Sequence, residues 1–593
     1  MPCLFITCNQ LKSDKIMKKL LFALSFLLAT TVTYAVTRSI EQMKEAAKNV
    51  IGTKADMATR GGKAELSILQ SGGQYTVIGY NTGGFAVIAN DDRFNAVLGY
   101  SDTEFDADKM PPALKAWMKA VDEAMVNKLT NGDDAPTGAE LRSNDYPAEV
   151  QPMVTTTWDQ SAPYNSIVVD NLHGDYYTGC VATGMAQVMK YHNWPITGEE
   201  YKTYRFQPDG SSTALRLVAD FENTTYQWDD MIDNYDTRLH NYTDAQAEAV
   251  ATLMYHCGVA VEMNYGLDGS GAFSNMAATA YNDYFRYSAK LYLRDIYTEE
   301  DWMNMIYSEL SSNRPIQYGG ATNTNAGHSF VFDGYNAEGL VHVNWGWSGS
   351  GDGYYDVAIL NSPTGSYSYQ QDMIMVRDAD DPAIPYSSQW GIYPTLAWST
   401  SSGGILTTNG RFDLRANGTT LSFSVTNLMN CDADDFSGQL AMFAAPESGT
   451  PIQLNTVNIN HASYYYVHPG SAQDYTGTVD ISALADGEYR IYFASKATEE
   501  TEWQTVRSNE SIYNNYMLTK RGTMAVITVG DPGWTTGISN IMTTDSYDGM
   551  VRVYTVDGVL VYSAPADGFN ISDVPAKGLL IVKKGQEVTK VMK

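Results

Sequence analysis

The stretch YYTGCVATGMAQVMKYHNWP, residues 176–195, places Cys180 where a glycine-flanked turn meets a helical pattern. Val181, Met185 and Val188 recur at helical spacing, so one face of this segment is predicted to be buried. A cysteine in the first turn of a helix lies close to unpaired backbone N–H groups, which favour the thiolate form. The ordinary alternative is a small core residue, and position alone leaves these two interpretations about equal.

Two further polar residues lie on adjacent predicted strands. The stretch TNTNAGHSFVFDGYN puts His328 at the head of an apolar strand, and GLVHVNWGWSGSGDGYYDV puts Asn344 at the far end of the next strand. A turn, GYNAEG, joins these strands, so His328 and Asn344 are expected to lie side by side. A histidine base held by an amide would complete a Cys-His-Asn arrangement with Cys180. His342, in the body of the same strand, is interpreted as structural.

A side-chain amide also precedes the cysteine in the chain. Gln160 lies in TTWDQSAPYN, an irregular stretch, and is expected to join the Cys180 backbone N–H in holding an oxyanion. By contrast, His256 and Cys257 are adjacent in a predicted core helix. Neighbouring helix residues do not face each other, so this pair is not expected to form a second site.

The ends of the chain differ from its middle. MKKLLFALSFLLATTVTYA has the form of a secretory signal peptide cleaved after Ala35, and translation begins at Met1 or at Met17. The remaining Cys180, Cys257 and Cys431 are too few and too scattered for a disulfide framework. No later stretch is apolar enough to span a membrane stably. The net charge of −29 disfavours nucleic acid and anionic membranes as partners.

Periodicity divides the 593 residues into several regions. Helices are predicted at SIEQMKEAAKNVIG and PPALKAWMKAVDEAMVNKLTNG, with short strands between them. Residues 133–149 are predicted to form an exposed linker, and Arg142 within it is a candidate cleavage site. Beyond a mixed region, alternation in TTLSFSVTN and DGEYRIYFAS predicts a β-sandwich. The last residues are predicted to form two hairpins. No metal motif is found, and no cofactor is expected.

Four ordered blocks resemble the streptopain family of papain-fold cysteine proteases, in particular its multidomain, interpain A-like members. These blocks are GCVATGMAQVMKYHNWP, WDQSAPYN, GHSFVFDGYN and HVNWGWSGSGDGYYDV. The stretch GGFAVIANDDRFNAVLGYSDTEFDAD resembles the prosegment of the family, so the resemblance covers about 36 to 380. It implies the following roles: Cys180 as nucleophile, His328 as base, Asn344 as orienting residue and Gln160 as oxyanion donor. It also implies that Trp345 or Trp347 shields the His–Asn contact, and that Gly327 and Ser270 lie along the substrate cleft.

The predicted fold class is α+β, with a papain-like domain preceded by an α+β prodomain and followed by all-β domains. The predicted units are a leader and signal peptide (1–35), an inhibitory prodomain (36–142), a catalytic domain (143–380), a β-sandwich (390–532) and a small C-terminal unit (537–593). The last unit is similar to the C-terminal sorting domains of the bacterial type IX secretion route.

The predicted function is that of a secreted or cell-surface cysteine endopeptidase made as a zymogen. Its expected partners are protein or peptide substrates and its own prodomain, which acts as an intramolecular inhibitor. A Cys-His-Asn site alone also fits an amidase or a transglutaminase, but the prosegment resemblance favours the protease. The alternative from another class is an adhesin or binding protein built on an inactive protease scaffold, which the β-rich last third would suit. The four residues Gln160, Cys180, His328 and Asn344 argue against it.

Overall fold

The computed structural model describes most of the chain from residue 37 onward. The described residues are 37–51, 65–131, 136–208, 210–322, 327–360, 369–392, 396–399, 405–408, 412–459, 469, 472–507, 516–529, 550–555, 560–565, 569–571, 574, 579–584 and 587–592. The predicted signal peptide lies outside them. Within this part of the chain, no helix combines the length and apolar character that a membrane span requires.

The N-terminal region is a four-stranded antiparallel sheet with a helix on each face. Met43, Ala47 and Ile51 of the first helix recur every four residues and pack against Ile78 and Ile88 of the sheet. The two helices and three strands predicted here are confirmed, and the structure adds a fourth strand, β4. They are α1 (Ile40–Ile51), β1 (Ser67–Ser71), β2 (Tyr75–Gly79), β3 (Phe85–Ala89), β4 (Val97–Ser101) and α2 (Pro112–Asn131).

The central region supplies a helical layer and six more strands to the same sheet. Its helices are α3 (Gly138–Leu141), α4 (Ser166–Leu172), α5 (Cys180–His192), α6 (Asp244–Ala260), α7 (Ser274–Tyr284) and α8 (Glu299–Ser311). Its strands are β5 (Tyr201–Phe206), β6 (Leu215–Asp220), β7 (Ser288–Leu293), β8 (Ile316–Thr322), β9 (Gly327–Tyr335), β10 (Val341–Asn344), β11 (Gly353–Tyr355) and β12 (Tyr369–Arg377). Strands β5 and β6 form a separate ribbon.

One continuous sheet joins the N-terminal and central regions, in the order β1-β2-β3-β4-β11-β10-β9-β8-β12-β7. Strand β4 pairs antiparallel with β11, with Gly99 opposite Tyr355. Trp117 of α2 packs edge-on against the same Tyr355, with ring centroids 4.9 Å apart. The two regions therefore share a hydrophobic core as well as a sheet.

The predicted exposed linker is only partly found, because the described residues from 136 onward dock on the central region. Gly138 is buried, and a Cβ atom there would lie 2.3 Å from the Gly339 carbonyl oxygen. The Arg142 guanidinium donates to the Asn336 carbonyl at 3.3 Å and lies 5.6 Å from the centre of the Tyr335 ring. Arg142 is thus held against the protein surface, which makes it a poor site for cleavage in the intact chain.

Beyond Arg377, the regular elements among the described residues are all β-strands, as the alternating pattern predicts. Two sheets enclose a core in which Leu421, Phe423 and Val425 meet Ile491 and Phe493. The strands are β13 (Trp390–Ile392), β14 (Leu396–Ser399), β15 (Ile405–Thr408), β16 (Phe412–Asn417), β17 (Thr420–Asn430), β18 (Gly438–Pro446), β19 (Ile452–Ile459), β20 (Ala472–Asp480), β21 (Gly487–Ala497), β22 (Gln504–Thr505), β23 (Tyr516–Arg521) and β24 (Met524–Val529). Two antiparallel hairpins follow, from β25 (Met550–Thr555), β26 (Leu560–Pro565), β27 (Leu579–Lys584) and β28 (Glu587–Met592).

The sandwich docks on β7, the outer strand of the large sheet. Gln389 donates its side-chain amide to the Leu291 carbonyl at 2.8 Å and accepts a hydrogen bond from the Tyr297 hydroxyl at 2.8 Å. The Arg507 guanidinium lies 4.4 Å from the centre of the Tyr297 ring. Cys431 belongs to the core shared by the N-terminal and central regions, which extends this contact into the interior.

Candidate active site

Cys180 is the first residue of α5, and the turn before it requires a glycine. Gly179 has φ +93°, a conformation that residues with a Cβ atom rarely adopt. A Cβ atom there would also lie 2.7 Å from Met263 and 3.2 Å from the Cβ of Ser270. The helix that follows is buried at every residue from Val181 to Met189, whereas its spacing alone predicts burial of one face. The Cys180 thiol is therefore held at the N-terminus of a buried helix.

The Cys180 thiol is half-buried, whereas those of Cys257 and Cys431 are fully buried. Burial raises the pKa of the Cys180 thiol, and hydrogen bonds from the backbone N–H groups of Ser329, Val181 and Cys180 itself oppose this effect. The donors at the helix start thus favour the thiolate, as expected, but desolvation outweighs them, so the net direction of the pKa shift is upward.

His328 is the second residue of β9 and is half-buried. Burial lowers the pKa of its imidazole, which favours the neutral ring at neutral pH. Residues 328, 330 and 332 alternate onto one face of the strand, and Phe330 and Phe332 belong to the core that contains α2. Ser329 lies on the other face, where its hydroxyl oxygen would lie 3.2 Å from a Cβ atom at Gly184 of α5. His328 thus follows the face that carries the N-terminal region.

The predicted side-by-side placement of His328 and Asn344 is not found. Strands β9 and β10 pair as expected, but a bulge between His342 and Val343 shifts their register, so Asn344 lies opposite Val331. A one-residue shift moves a side chain to the other face of a sheet. Asn344 therefore faces α5, on the side of the sheet opposite to His328.

The Asn344 side chain is 2% exposed, and both ends of its amide are hydrogen-bonded. Its oxygen accepts from the Gln187 side-chain amide at 3.1 Å and from the Gly346 backbone N–H at 3.0 Å. Its nitrogen donates to the Thr156 carbonyl at 2.7 Å. The orienting contact to His328 would require His328 to cross to this face or the Asn344 bonds to rearrange.

Gln160 lies beside the cysteine turn, and its oxyanion role stays a prediction. Its carbonyl accepts a hydrogen bond from the Thr178 backbone N–H at 3.0 Å, which ties it to the residues just before Cys180. The residue is buried, and its side-chain amide makes no hydrogen bond to any residue that the structure describes. A donor that is unused among the described residues would be available to bind an oxyanion.

The two predicted cleft residues flank the same turn and strand. Ser270 donates its hydroxyl to the Tyr177 carbonyl at 2.6 Å and accepts from the Gly266 backbone N–H at 3.0 Å. It therefore holds the loop over the Cys180 turn. Gly327 is exposed at the start of β9, next to His328. Ser270 thus contacts the Cys180 turn, and the cleft roles of Ser270 and Gly327 stay predictions.

The two tryptophans after Asn344 occupy different environments. Trp345 is buried in the shared core, with its ring centroid 4.8 Å from that of Phe330, and its indole N–H donates to the Gly351 carbonyl at 3.0 Å. Trp347 is half-buried. Trp345 thus lies on the His328 face of the sheet, and Trp347 is the more accessible of the two.

The residues interpreted as structural have partners of their own. The His342 ring lies 2.6 Å from a carboxylate oxygen of the fully buried Asp333, which, despite burial, raises its pKa. His256 is hydrogen-bonded to the Tyr226 hydroxyl at 3.0 Å, and burial lowers its pKa to about 4. Among the described residues, no group of three or more His, Cys, Asp or Glu side chains is arranged to hold a metal ion.

Comparison with known proteins gives two adjacent family matches. The model of the peptidase C10 family matches residues 158–355, and that of the Spi protease inhibitor matches residues 34–125. Thiol protease/hemagglutinin PrtT of Porphyromonas gingivalis is 32% identical over 315 residues, which are 49% of this chain and 35% of PrtT. Streptopain of Streptococcus pyogenes is 31% identical over 341 residues, which are 54% of this chain and 81% of streptopain.

Two solved structures from Prevotella intermedia are also similar to this chain. A fragment of prointerpain A is 42% identical, with a TM-score of 0.48, and covers 53% of this chain and 98% of its own. The active wild-type interpain A cysteine protease is 45% identical, with a TM-score of 0.35, and covers 39% of this chain and 95% of its own.

Proposed function

This chain belongs to the peptidase C10 family of cysteine proteases, and from that premise we propose that it is a cysteine endopeptidase made as an inactive precursor. The observation that carries the proposal is the Cys180 turn. A half-buried thiol begins α5, and the Gln160 carbonyl accepts from the Thr178 backbone N–H at 3.0 Å, which ties Gln160 to the residues just before Cys180. Ser329, the neighbour of His328 in β9, packs against Gly184 of α5.

In the proposed reaction, His328 takes the thiol proton and Cys180 attacks the carbonyl carbon of the peptide bond. The Gln160 amide and the Cys180 backbone N–H hold the oxyanion of the tetrahedral intermediate. His328 then gives its proton to the leaving amine, and a thioester to Cys180 remains. His328 deprotonates a water molecule, which attacks the thioester and releases the acid product and the free thiol.

We assign residues 36–142 the role of inhibitory prodomain. Support comes from the match to the Spi protease inhibitor model at residues 34–125 and from the sheet that β4 shares with β11. Helix α2 occupies the face of the sheet on which His328 lies, while Cys180 begins a helix on the other face. The Cys180–His328 pair is therefore proposed to assemble once the prodomain has left.

The proposed site of action is outside the cell. The supporting features are the signal-peptide pattern before Val36 and the resemblance of residues 537–593 to type IX sorting domains. Of the other proposed site residues, Ser270 and Gly327 flank the substrate, Asn344 orients the His328 ring, and Trp345 or Trp347 shields the contact between His328 and Asn344 from water.

The test is the substitution Cys180→Ala, with Cys431→Ala as the matched cysteine control. Incubation with a denatured protein, followed by mapping of the cleavages by mass spectrometry, is expected to show hydrolysis by the parent and by Cys431→Ala, but none by Cys180→Ala. The Cys180→Ala precursor is also expected to stay unprocessed. Self-processing by pure Cys180→Ala protein would disprove the assignment. A binding protein on an inactive scaffold would show no cleavage even by the parent.

A further inference from the structure

Helix α5 carries a buried glutamine that the proposed reaction does not use. Gln187 lies in the fully buried run of the helix and is 0% exposed. Its amide nitrogen donates to the Asn344 side-chain oxygen at 3.1 Å. Its amide oxygen accepts from the Thr156 hydroxyl at 2.9 Å and from the Trp158 backbone N–H at 3.3 Å. Both ends of the Gln187 amide are thus bonded.

The partners of Gln187 come from two separate segments of the site. Thr156 and Trp158 lie just before Gln160 in the chain, whereas Asn344 ends the strand that pairs with β9. The Asn344 amide also donates to the Thr156 carbonyl at 2.7 Å, which closes the network. We call residues 156–160, which include Gln160, the oxyanion segment. The Gln187 side chain therefore connects helix α5, the oxyanion segment and the end of β10.

Packing alone does not require an amide here. The neighbours of Gln187 in the helix, Met185, Ala186, Val188 and Met189, are apolar and completely buried. A methionine has nearly the length of glutamine and would fill the same space without polar atoms. What an amide adds is direction, because each of its hydrogen bonds fixes the position and orientation of a partner.

We propose that Gln187 is a positioning residue for peptide hydrolysis, which sets the oxyanion segment and Asn344 relative to the Cys180 helix. The proposal rests on the proposed function of Cys180 and Gln160. A positioning role differs from a purely stabilising role in its effect on two reactions of Cys180, peptide hydrolysis and alkylation. Hydrolysis needs a correctly placed oxyanion donor, whereas alkylation of the thiol by iodoacetamide forms no oxyanion.

The first test is Gln187→Met in the full chain, matured by immobilised parent enzyme that is then removed. We expect kcat for a peptide substrate to fall roughly tenfold to a hundredfold, because small misplacements of a catalytic group cost about this much. KM and the rate of Cys180 alkylation by iodoacetamide are expected to stay within about threefold of the parent values.

The matched control is Gln389→Met in the sandwich interface. Gln389 is also a buried glutamine whose side chain makes three hydrogen bonds: to the Leu291 carbonyl at 2.8 Å, to Asp432 at 3.3 Å and from the Tyr297 hydroxyl at 2.8 Å. We expect Gln389→Met to lower Tm about as much as Gln187→Met does, but to leave the ratio of kcat to alkylation rate unchanged.

Gln187→Glu supplies a conservative rescue and remains informative if Gln187→Met does not fold. A protonated carboxyl at this position can donate to Asn344 and accept from Thr156, as the amide does, whereas the ionised form cannot donate. The kcat of Gln187→Glu relative to the parent is therefore expected to be highest at acidic pH and to fall as pH rises.

Three results would overturn the proposal. They are an unchanged kcat in Gln187→Met, hydrolysis and alkylation that fall together, and a relative kcat of Gln187→Glu that does not depend on pH. Failure of the proposed function itself would look different. In that case the parent enzyme would cleave no peptide, or its activity would survive alkylation of Cys180.

Discussion

At the scale of single residues, the Cys180 thiol and the His328 ring are both held in their neutral forms. Burial raises the pKa of the thiol and lowers that of the imidazole. A reactive cysteine protease needs the opposite, a thiolate next to an imidazolium. The precursor therefore contains the two groups in a form with low intrinsic reactivity.

This state predicts how thiol reactivity depends on pH. A raised pKa means that the thiolate forms only at higher pH, so alkylation of Cys180 in the uncleaved precursor should have its midpoint above the usual thiol value of about 8.5. After maturation, pairing with His328 should move the midpoint to lower pH. Iodoacetamide labelling of each cysteine, read by peptide mass spectrometry across pH, measures both. Identical midpoints before and after maturation would contradict the prediction, and Cys257 serves as the buried internal control.

Asn344 is the residue whose proposed role differs most from the geometry in this form. Asn344→Ala removes bonds to Gln187, Gly346 and Thr156. We expect kcat to fall much more than KM rises, because a misplaced site weakens binding of the transition state and not of the substrate. Steady-state kinetics on a peptide substrate test this. A loss found mainly in KM would assign Asn344 to substrate binding instead.

At the scale of elements, the local patterns were predictable and the register was not. The spacing of Val181, Met185 and Val188 gives the nucleophile helix, and the glycine before Cys180 marks its start. The bulge between His342 and Val343 leaves no sign in the hydrophobic alternation, yet it moves Asn344 to the other face of the sheet.

The hydrogen-bond partners of Gln187 could not be predicted from the sequence either, because they come from segments distant in the chain. The one available signal was a polar residue inside an otherwise apolar helical run. The pairing of β4 with β11 was equally hidden, since two strands separated by about 250 residues carry no local mark of their contact. The chemistry of a side chain was thus predictable from the local sequence. The relative positions of side chains were not predictable where they depend on tertiary pairing.

The contact between β4 and β11 offers a way to displace the prodomain without cutting it. A Cβ atom at Gly99 would lie 2.4 Å from the ring of Tyr355, so Gly99→Val forces the two strands apart. Overpacking of this kind costs about 1–3 kcal/mol. If the prodomain blocks the site, labelling of Cys180 in the uncleaved precursor should become roughly tenfold faster, which corresponds to about 1.4 kcal/mol.

The control for this element is Ile68→Val, at a half-exposed position of β1 in the same prodomain. It should leave the labelling rate unchanged. If Gly99→Val labelled no faster than Ile68→Val, the β4–β11 contact would have no part in latency.

At the scale of the whole molecule, we expect that a cut in the linker is not enough to free the proposed prodomain. The sequence suggested release by cleavage within 133–150, but the N-terminal and central regions share a sheet and a core. We therefore expect a precursor nicked near residue 134, made in a Cys180→Ala background to prevent self-processing, to elute from a sizing column as one particle. Separation into two species at neutral pH without denaturant would contradict this expectation, and the uncut Cys180→Ala protein is the control. Activation would then require further cuts inside the prodomain.

Removal of the proposed prodomain would leave the two edge strands of the remaining sheet with different contacts. Strand β11 loses its neighbour, whereas β7 keeps the sandwich through Gln389 and the Arg507–Tyr297 contact. The protease and the sandwich should then tumble as one rigid body. If the chain is anchored through its C-terminus, the sandwich, and not a flexible tether, would set the orientation of the cleft and its distance from the anchor. The orientation would be fixed and the distance short. Such an enzyme would cleave what comes to the surface that holds it and spare what lies farther away.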